Sequence, residues 1–145
     1  MKASKNAIDI IKKYEGCRLE SYKCPAGVWT IGYGHTGNVN GKSITMGMTI
    51  TELMAETLLT IDLQRFEYAI NKLNLDLKQN QFDALISFVF NIGIGAFEKS
   101  TMLKLLNVGN YDGAANQFDC WIYANGKKLA GLIKRRADEK KLSIS

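Results

Sequence analysis

Three side chains in the first thirty residues have the types and the spacing for acid–base work on a polar bond. Glu15 carries a carboxyl group, Cys24 a thiol and Thr30 a hydroxyl, with eight residues between the first pair and five between the second. A proton donor, a base or nucleophile facing it, and a hydroxyl that orients water are the parts needed to cleave a glycosidic bond. Glu15 falls in the last turn of a short helix, where the negative end of the helix dipole favours the protonated acid. Cys24 is the weaker part. A thiol with a pKa of about 8.5 is only a few per cent ionised at neutral pH, roughly thirtyfold less than an aspartate would be. A thiolate is nevertheless the stronger base, and the neighbouring cations Arg18 and Lys23 favour its formation.

The elements that must position these groups are legible around them. Ser4 can cap a first helix whose Ala7, Ile8, Ile11 and Tyr14 recur at helical spacing, and Gly16 is placed to end it in a left-handed turn. From Cys17 to Thr45, short Thr-, Tyr-, Val- and Ile-rich stretches alternate with Pro–Gly and Asn–Gly turns, which predicts a small antiparallel sheet. Pro25 and Gly27 put a turn directly after Cys24 and bring Thr30 across from it on the returning strand. Glu20, four residues back along the strand, lies roughly 13 Å from Cys24 and cannot stand in for it.

Downstream the pattern is helical. Thr49 and Glu52 form a capping box opening a long helix to about Asn74, with an apolar stripe through Leu59, Leu63, Phe66 and Ile70. Asn80 starts a helix that is apolar nearly all round and belongs at the centre of a helical lobe, with Gly93 and Gly95 ending it. Ser100 and Asp112 cap two further helices, the second through Trp121, and a last helix runs from about Gly131 to Leu142. The fold class is α+β: an N-terminal helix, a small sheet over about 17–47, and a helical lobe over about 49–145, in one domain.

Composition bounds the alternatives. The 145 residues are 46% hydrophobic and 23% charged with a single proline, which excludes a disordered, fibrous or repeat chain. The N-terminus has charges but no apolar core, so no signal peptide is expected, and no apolar run is long enough for stable membrane insertion. The odd count of three cysteines points to reduced thiols. A net charge of +5 permits anionic partners, and lysines and arginines gather near the C-terminus, which reads first as a solvated basic face. No Cys/His pair has zinc-ligand spacing, Ser87 lacks a nucleophile elbow, and no glycine-rich phosphate loop follows a strand. No cofactor and no metal are expected.

Five motifs in register then add a resemblance. Tyr14–Gly16, Trp29–His35, Gly41–Thr45, Gln81–Gly93 and Gly131–Arg136 with Glu139 together resemble the phage-type lysozymes, endolysins that cleave bacterial peptidoglycan. The resemblance runs over almost the whole chain. It implies a two-lobed lysozyme-like fold and cleavage of the β-1,4 bond from N-acetylmuramic acid to N-acetylglucosamine. On the family's Glu-x8-Asp-x5-Thr motif, Glu15 falls on the general acid, Thr30 on the threonine and Cys24 on the aspartate. Cys24 is then base or nucleophile, and inversion is the family habit. His35, the single histidine, is expected to make a supporting hydrogen bond, and Arg135 and Arg136 to pair with Glu15 or Glu139 or to grip the substrate. Peptidoglycan strands are the expected partner, with a monomeric enzyme, no nucleic acid, and holin-dependent release from the host cytoplasm to the cell wall or periplasm.

Three rival readings remain at this level. A lytic transglycosylase would cut the same bond with Glu15 alone. A cysteine peptidase or amidase would pair Cys24 with His35, though eleven residues along a hairpin is an unusual separation for such a pair. A non-enzymatic cell-wall or nucleic-acid binder would rest on the basic tail.

Overall fold

The computed structural model describes residues 1–145. Helix α1 (Lys5–Glu15) is followed by strands β1 (Arg18–Lys23) and β2 (Trp29–Gly32). Helix α2 (Glu52–Asn71) leads to α3 (Gln79–Ile92), α4 (Ile94–Glu98), α5 (Thr101–Asn107) and α6 (Tyr111–Asn116), which a 3-10 turn extends over Gln117–Cys120. A two-residue hairpin, β3 (Tyr123–Ala124) and β4 (Lys127–Lys128), precedes α7 (Ala130–Ser143). The expected α+β class is borne out, and no helix is long and apolar enough to cross a membrane.

The chain forms two compact units, Glu15–Gln64 and Met1–Tyr14 with Arg65–Ser145. Their boundaries fall inside α1 and α2, not at the element ends near residues 17 and 47–49. The cause is in the smaller unit's core, where Leu58 of α2 packs with Ile31, Val39 and Ile44, and Met54 lies against them. The first turns of α2 are therefore bound up with the hairpin loops that precede them.

The predicted sheet is smaller than its texture suggested. Between residues 17 and 47 only β1 and β2 form a ladder, antiparallel and with an irregularity between Arg18 and Tyr22. Beyond it there are isolated bridges, among them Glu20 with Thr49 and Val39 with Lys42. The segment before α2 also bonds to the outer edge of β1, through Ser21 N–H to Met48 O and Ile50 N–H to Leu19 O. That edge is thereby occupied without a third strand.

In the larger unit α3 is buried from Phe82 to Val89, as its continuous apolar pattern predicts. Phe88 meets Phe118 edge-on at 5.1 Å and Trp121 at 5.6 Å. Several caps differ from the sequence reading because a competing partner wins. Ser4 precedes α1, where its carbonyl accepts from Ala7 and Ile8 N–H while its hydroxyl donates to the buried Asp83. Thr51, not Thr49, accepts from Met54 N–H at the start of α2. Asn110, not Asp112, caps α6 through Gly113 N–H. Gly95 lies inside α4 and does not end α3.

Candidate active site

The positions of Glu15, Cys24 and Thr30 follow from one hairpin and the helix before it. Helix α1 ends on Glu15 because Gly16 takes a φ of +70°, a left-handed conformation that costs glycine little. Glu15 is exposed and begins the smaller unit, which also contains Cys24 and Thr30. After Gly16 and Cys17 the chain enters β1.

At the far end of β1 the backbone reverses over three residues. Cys24 N–H donates to Val28 O at 2.9 Å, and Gly27 N–H donates to Cys24 O at 2.8 Å. Gly27 has a φ of +80°, the residue type and conformation that close a three-residue hairpin loop. Pro25 contributes no N–H, so the donors left in the turn are those of Ala26, Gly27 and Val28.

This turn acts on the thiol. The backbone N–H of Val28, then that of Ala26, hydrogen-bond to the sulfur and hold Cys24 below the ordinary thiol range, with slight desolvation acting the other way. The Thr30 hydroxyl adds a bond in the same direction. The cause therefore differs from the one expected: backbone donors lower Cys24, not the Lys23 or Arg18 charges. Those two cations lie instead over aromatic rings, Lys23 5.3 Å from the Trp29 centroid and Arg18 4.3 Å from that of Tyr22. Cys24 is half-buried, so its sulfur is accessible and yet held.

Thr30 pairs across the ladder with Tyr22 and is almost wholly buried, at 4% exposure. Its hydroxyl donates to Val28 O at 3.0 Å and lies within bonding reach of the Cys24 sulfur. A hydroxyl has one proton, so Val28 O and a thiolate compete for it. The structure thus joins Cys24 and Thr30 through Val28 into one local assembly.

His35 is buried in the same unit with both ring nitrogens taken up. Nδ1 lies 2.8 Å from Asp62 Oδ2 on α2, and Nε2 lies 3.0 Å from Asn38 O. Gly37 gives the ring its space, since a Cβ there would come within 3.2 Å of His35 Cε1. Neither Asp62 nor Asn38 was legible as a partner. Asp62 sits 27 residues away on a helix whose apolar pattern says nothing about its polar face.

Arg135 and Arg136 belong to the other unit and correct the reading of a solvated basic face. They are 3% and 1% exposed and both pair with Glu139, itself fully buried. Arg135 also donates to Ser87 O at 3.0 Å, and Arg136 to Trp121 O at 2.9 Å and to Asn91 Oδ1. Ser87 Oγ donates to the second oxygen of Glu139 at 2.6 Å. Burial pushes the Glu139 carboxyl up, while Arg136, Ser87 and Arg135 act against it. Ser87 is thereby accounted for as a hydrogen-bond donor inside a core, and so are the arginines at the end of their shared motif. No group of three or more metal-ligating side chains occurs in the structure.

Comparison with known proteins adds to this geometry. The family model described as phage lysozyme matches residues 12–139. An endolysin of Acyrthosiphon pisum secondary endosymbiont phage 1 is 48% identical over 147 aligned positions, covering 98% of this chain and 97% of that protein. A crystal structure of a P22 lysozyme mutant superposes with a TM-score of 0.93 at 45% identity, covering 100% of this chain and 99% of that one. The muramidase domain of SpmX from Asticaccaulis excentricus gives 0.89 at 42% identity, covering 99% and 98%.

Proposed function

We propose, from the premise that this chain belongs to the phage lysozyme family, that Glu15 and the Cys24 thiolate divide the cleavage of one glycan bond between them. The chain is a peptidoglycan-hydrolysing lysozyme, a glycoside hydrolase of the endolysin type. Its bond is the β-1,4 link from N-acetylmuramic acid to N-acetylglucosamine. As the bond from C1 to the departing oxygen breaks, Glu15 gives that oxygen its proton. Cys24 takes a proton from water, and the water oxygen bonds to C1 from the opposite face. Thr30 donates to Val28 O, which leaves its own lone pairs to accept from the attacking water and hold it in line. One water is added, the anomeric centre inverts, and proton exchange with solvent restores the acid and the thiolate.

What supports this reading is the tight turn at Cys24, closed by Cys24 N–H to Val28 O and Gly27 N–H to Cys24 O, whose backbone donors at Val28 and Ala26 lower the thiol. A strand thiol that only fills space needs none of them. Lowering the thiol raises the fraction present as base at neutral pH, which narrows the deficit against an aspartate at this position. His35, Arg135 and Arg136 are support residues in this reading.

Digestion of purified peptidoglycan tests it. Mass spectrometry should find products that each carry one added water, and Glu15→Gln, folded by circular dichroism, should yield none. Anhydro products would instead mean that the muramoyl 6-hydroxyl attacks, as in a lytic transglycosylase. Lysis retained by Glu15→Gln would remove Glu15 from its role. The enzyme works as a monomer and reaches the wall from the host cytoplasm through a holin-type partner; co-expression with and without such a pore, followed by culture turbidity, tests that route.

A further inference from the structure

We propose that Asp138 is a positioning residue for the general acid: through Lys13 and Tyr14 it ties down the last turn of α1 and so fixes the backbone from which Glu15 projects. This inference rests on the reading of Glu15 as that acid. The end of an α-helix is its loosest part, since its last four carbonyls have no partner within the helix. Here the next residue, Gly16, is a left-handed glycine that offers the turn no stiffness of its own. Contacts made by the residues just before Glu15 therefore bear on how firmly that turn is held.

The two residues directly before Glu15 converge on one carboxylate oxygen of α7. The Tyr14 hydroxyl donates to Asp138 Oδ2 at 2.5 Å, and Lys13 Nζ reaches the same oxygen at 2.9 Å. The Arg135 guanidinium lies 5.9 Å from the centroid of the Tyr14 ring. Arg135 is itself held by Glu139 and by Ser87 O inside the core. The Tyr14 side chain is therefore bonded at its tip to Asp138 and lies beside a buried, hydrogen-bonded guanidinium. Burial works against the Asp138 carboxylate, but the bonds from Tyr14 and Lys13 outweigh it and hold the group below the usual carboxylate range.

This arrangement differs from an ordinary surface ion pair. Lys140 and Asp119 make such a pair at 2.8 Å, with the Asp119 side chain mostly exposed and no further partner joining it. Exposed pairs of that kind contribute little. The Lys13–Asp138 pair is as exposed as that one, but at Asp138 the same oxygen also takes the phenol of Tyr14, half-buried on the turn that ends in Glu15 and beside the buried Arg135 guanidinium.

Steady-state kinetics on soluble peptidoglycan fragments, run well below each variant's melting midpoint, separate positioning from stability. Tyr14→Phe and Asp138→Ala should each lower kcat about tenfold with KM nearly unchanged, because small displacements of a reacting group cost rate more than binding. Asp138→Asn keeps an acceptor for the phenol and should lose less than Asp138→Ala. Lys140→Ala, on the same helix, should change neither constant. A kcat within twofold of wild type for both Tyr14→Phe and Asp138→Ala overturns the proposal. So does a loss seen only at temperatures where the variants begin to unfold. Glu15→Gln run alongside distinguishes the two failures: if it is inactive while the Tyr14 and Asp138 variants are normal, only this inference falls, and if it is active, the reading of Glu15 falls as well.

Discussion

Two polar assemblies, one in each compact unit, treat their ionisable groups in opposite ways. In the hairpin unit the Cys24 sulfur stays accessible and is met by neutral donors, the N–H groups of Val28 and Ala26 and the Thr30 hydroxyl. In the helical unit Glu139 is enclosed and met by the two charged guanidinium groups of Arg135 and Arg136. Neutral donors lower a thiol and so raise the fraction present as thiolate, at the cost of part of that thiolate's basicity. Opposed charges inside a core hold each other in place, here one carboxylate between two guanidinium groups. The first arrangement suits the base of the proposed reaction, and the second suits a group that holds a core together.

That contrast can be broken at either assembly. The largest effect expected on rate is at Glu15. Glu15→Gln should lower turnover of peptidoglycan at least about a hundredfold, the lower end of what a positioned general acid contributes. Gln keeps the size of the side chain and a hydrogen-bond acceptor, so thermal stability should stay near wild type, and melting curves check that half of the contrast.

The largest effect expected on stability is at Glu139. Glu139→Ala leaves two buried guanidinium groups without their carboxylate, which should cost about 3–5 kcal/mol. For a chain of this size that corresponds to a fall in Tm of about 10 °C. Differential scanning calorimetry measures it. A fall as small as that of an exposed pair such as Lys140–Asp119 would remove the distinction between the two assemblies.

Intermediate effects are expected at Cys24. Cys24→Ala should lower activity at least about tenfold, since no base remains to take the proton from water. Cys24→Asp should keep or raise it. Equal rates for Cys24→Ala and wild type would reduce the thiol to packing.

The smallest effect is a displacement along the pH axis. A base works only when deprotonated, so activity should rise with pH as the Cys24 thiolate forms. Because the turn lowers Cys24, that rise should lie below the usual thiol range near about 8.5. Cys24→Asp should move the same limb further towards acid, where a carboxylate loses its proton. A limb that stays in place after the substitution would belong to another group.

The two assemblies also differ in how far the sequence reveals them. Glu15, Cys24 and Thr30 lie within sixteen residues of one another, and the elements between them are local. A helix stop at Gly16 and a turn at Pro25–Gly27 depend on neighbours a few residues away, so spacing and turn chemistry suffice to read them. The donors that lower the thiol were missed because backbone N–H groups have no letter in a sequence. Near the C-terminus the reverse holds. Lys134, Arg135, Arg136, Lys140 and Lys141 read as one basic run, yet Arg135 and Arg136 are buried and the lysines are not. Their burial depends on Glu139, one helical turn on, and on Ser87 and Asn91, roughly 45–50 residues earlier. Residue type alone carries no such long-range pairing. The misassigned caps at Thr49 and Asp112 have a smaller version of the same cause, since Thr51 and Asn110 were equally suitable in type and the backbone geometry chose between them.

The central claim is that acid and thiolate act on opposite faces of the sugar, with water attacking directly. An NMR time course on a soluble β-linked peptidoglycan fragment, recording the anomer that forms first, tests it most directly. The α anomer of the muramoyl product should appear first and then equilibrate with β. The β anomer appearing first would mean a covalent intermediate on Cys24 and two displacements, which contradicts the account.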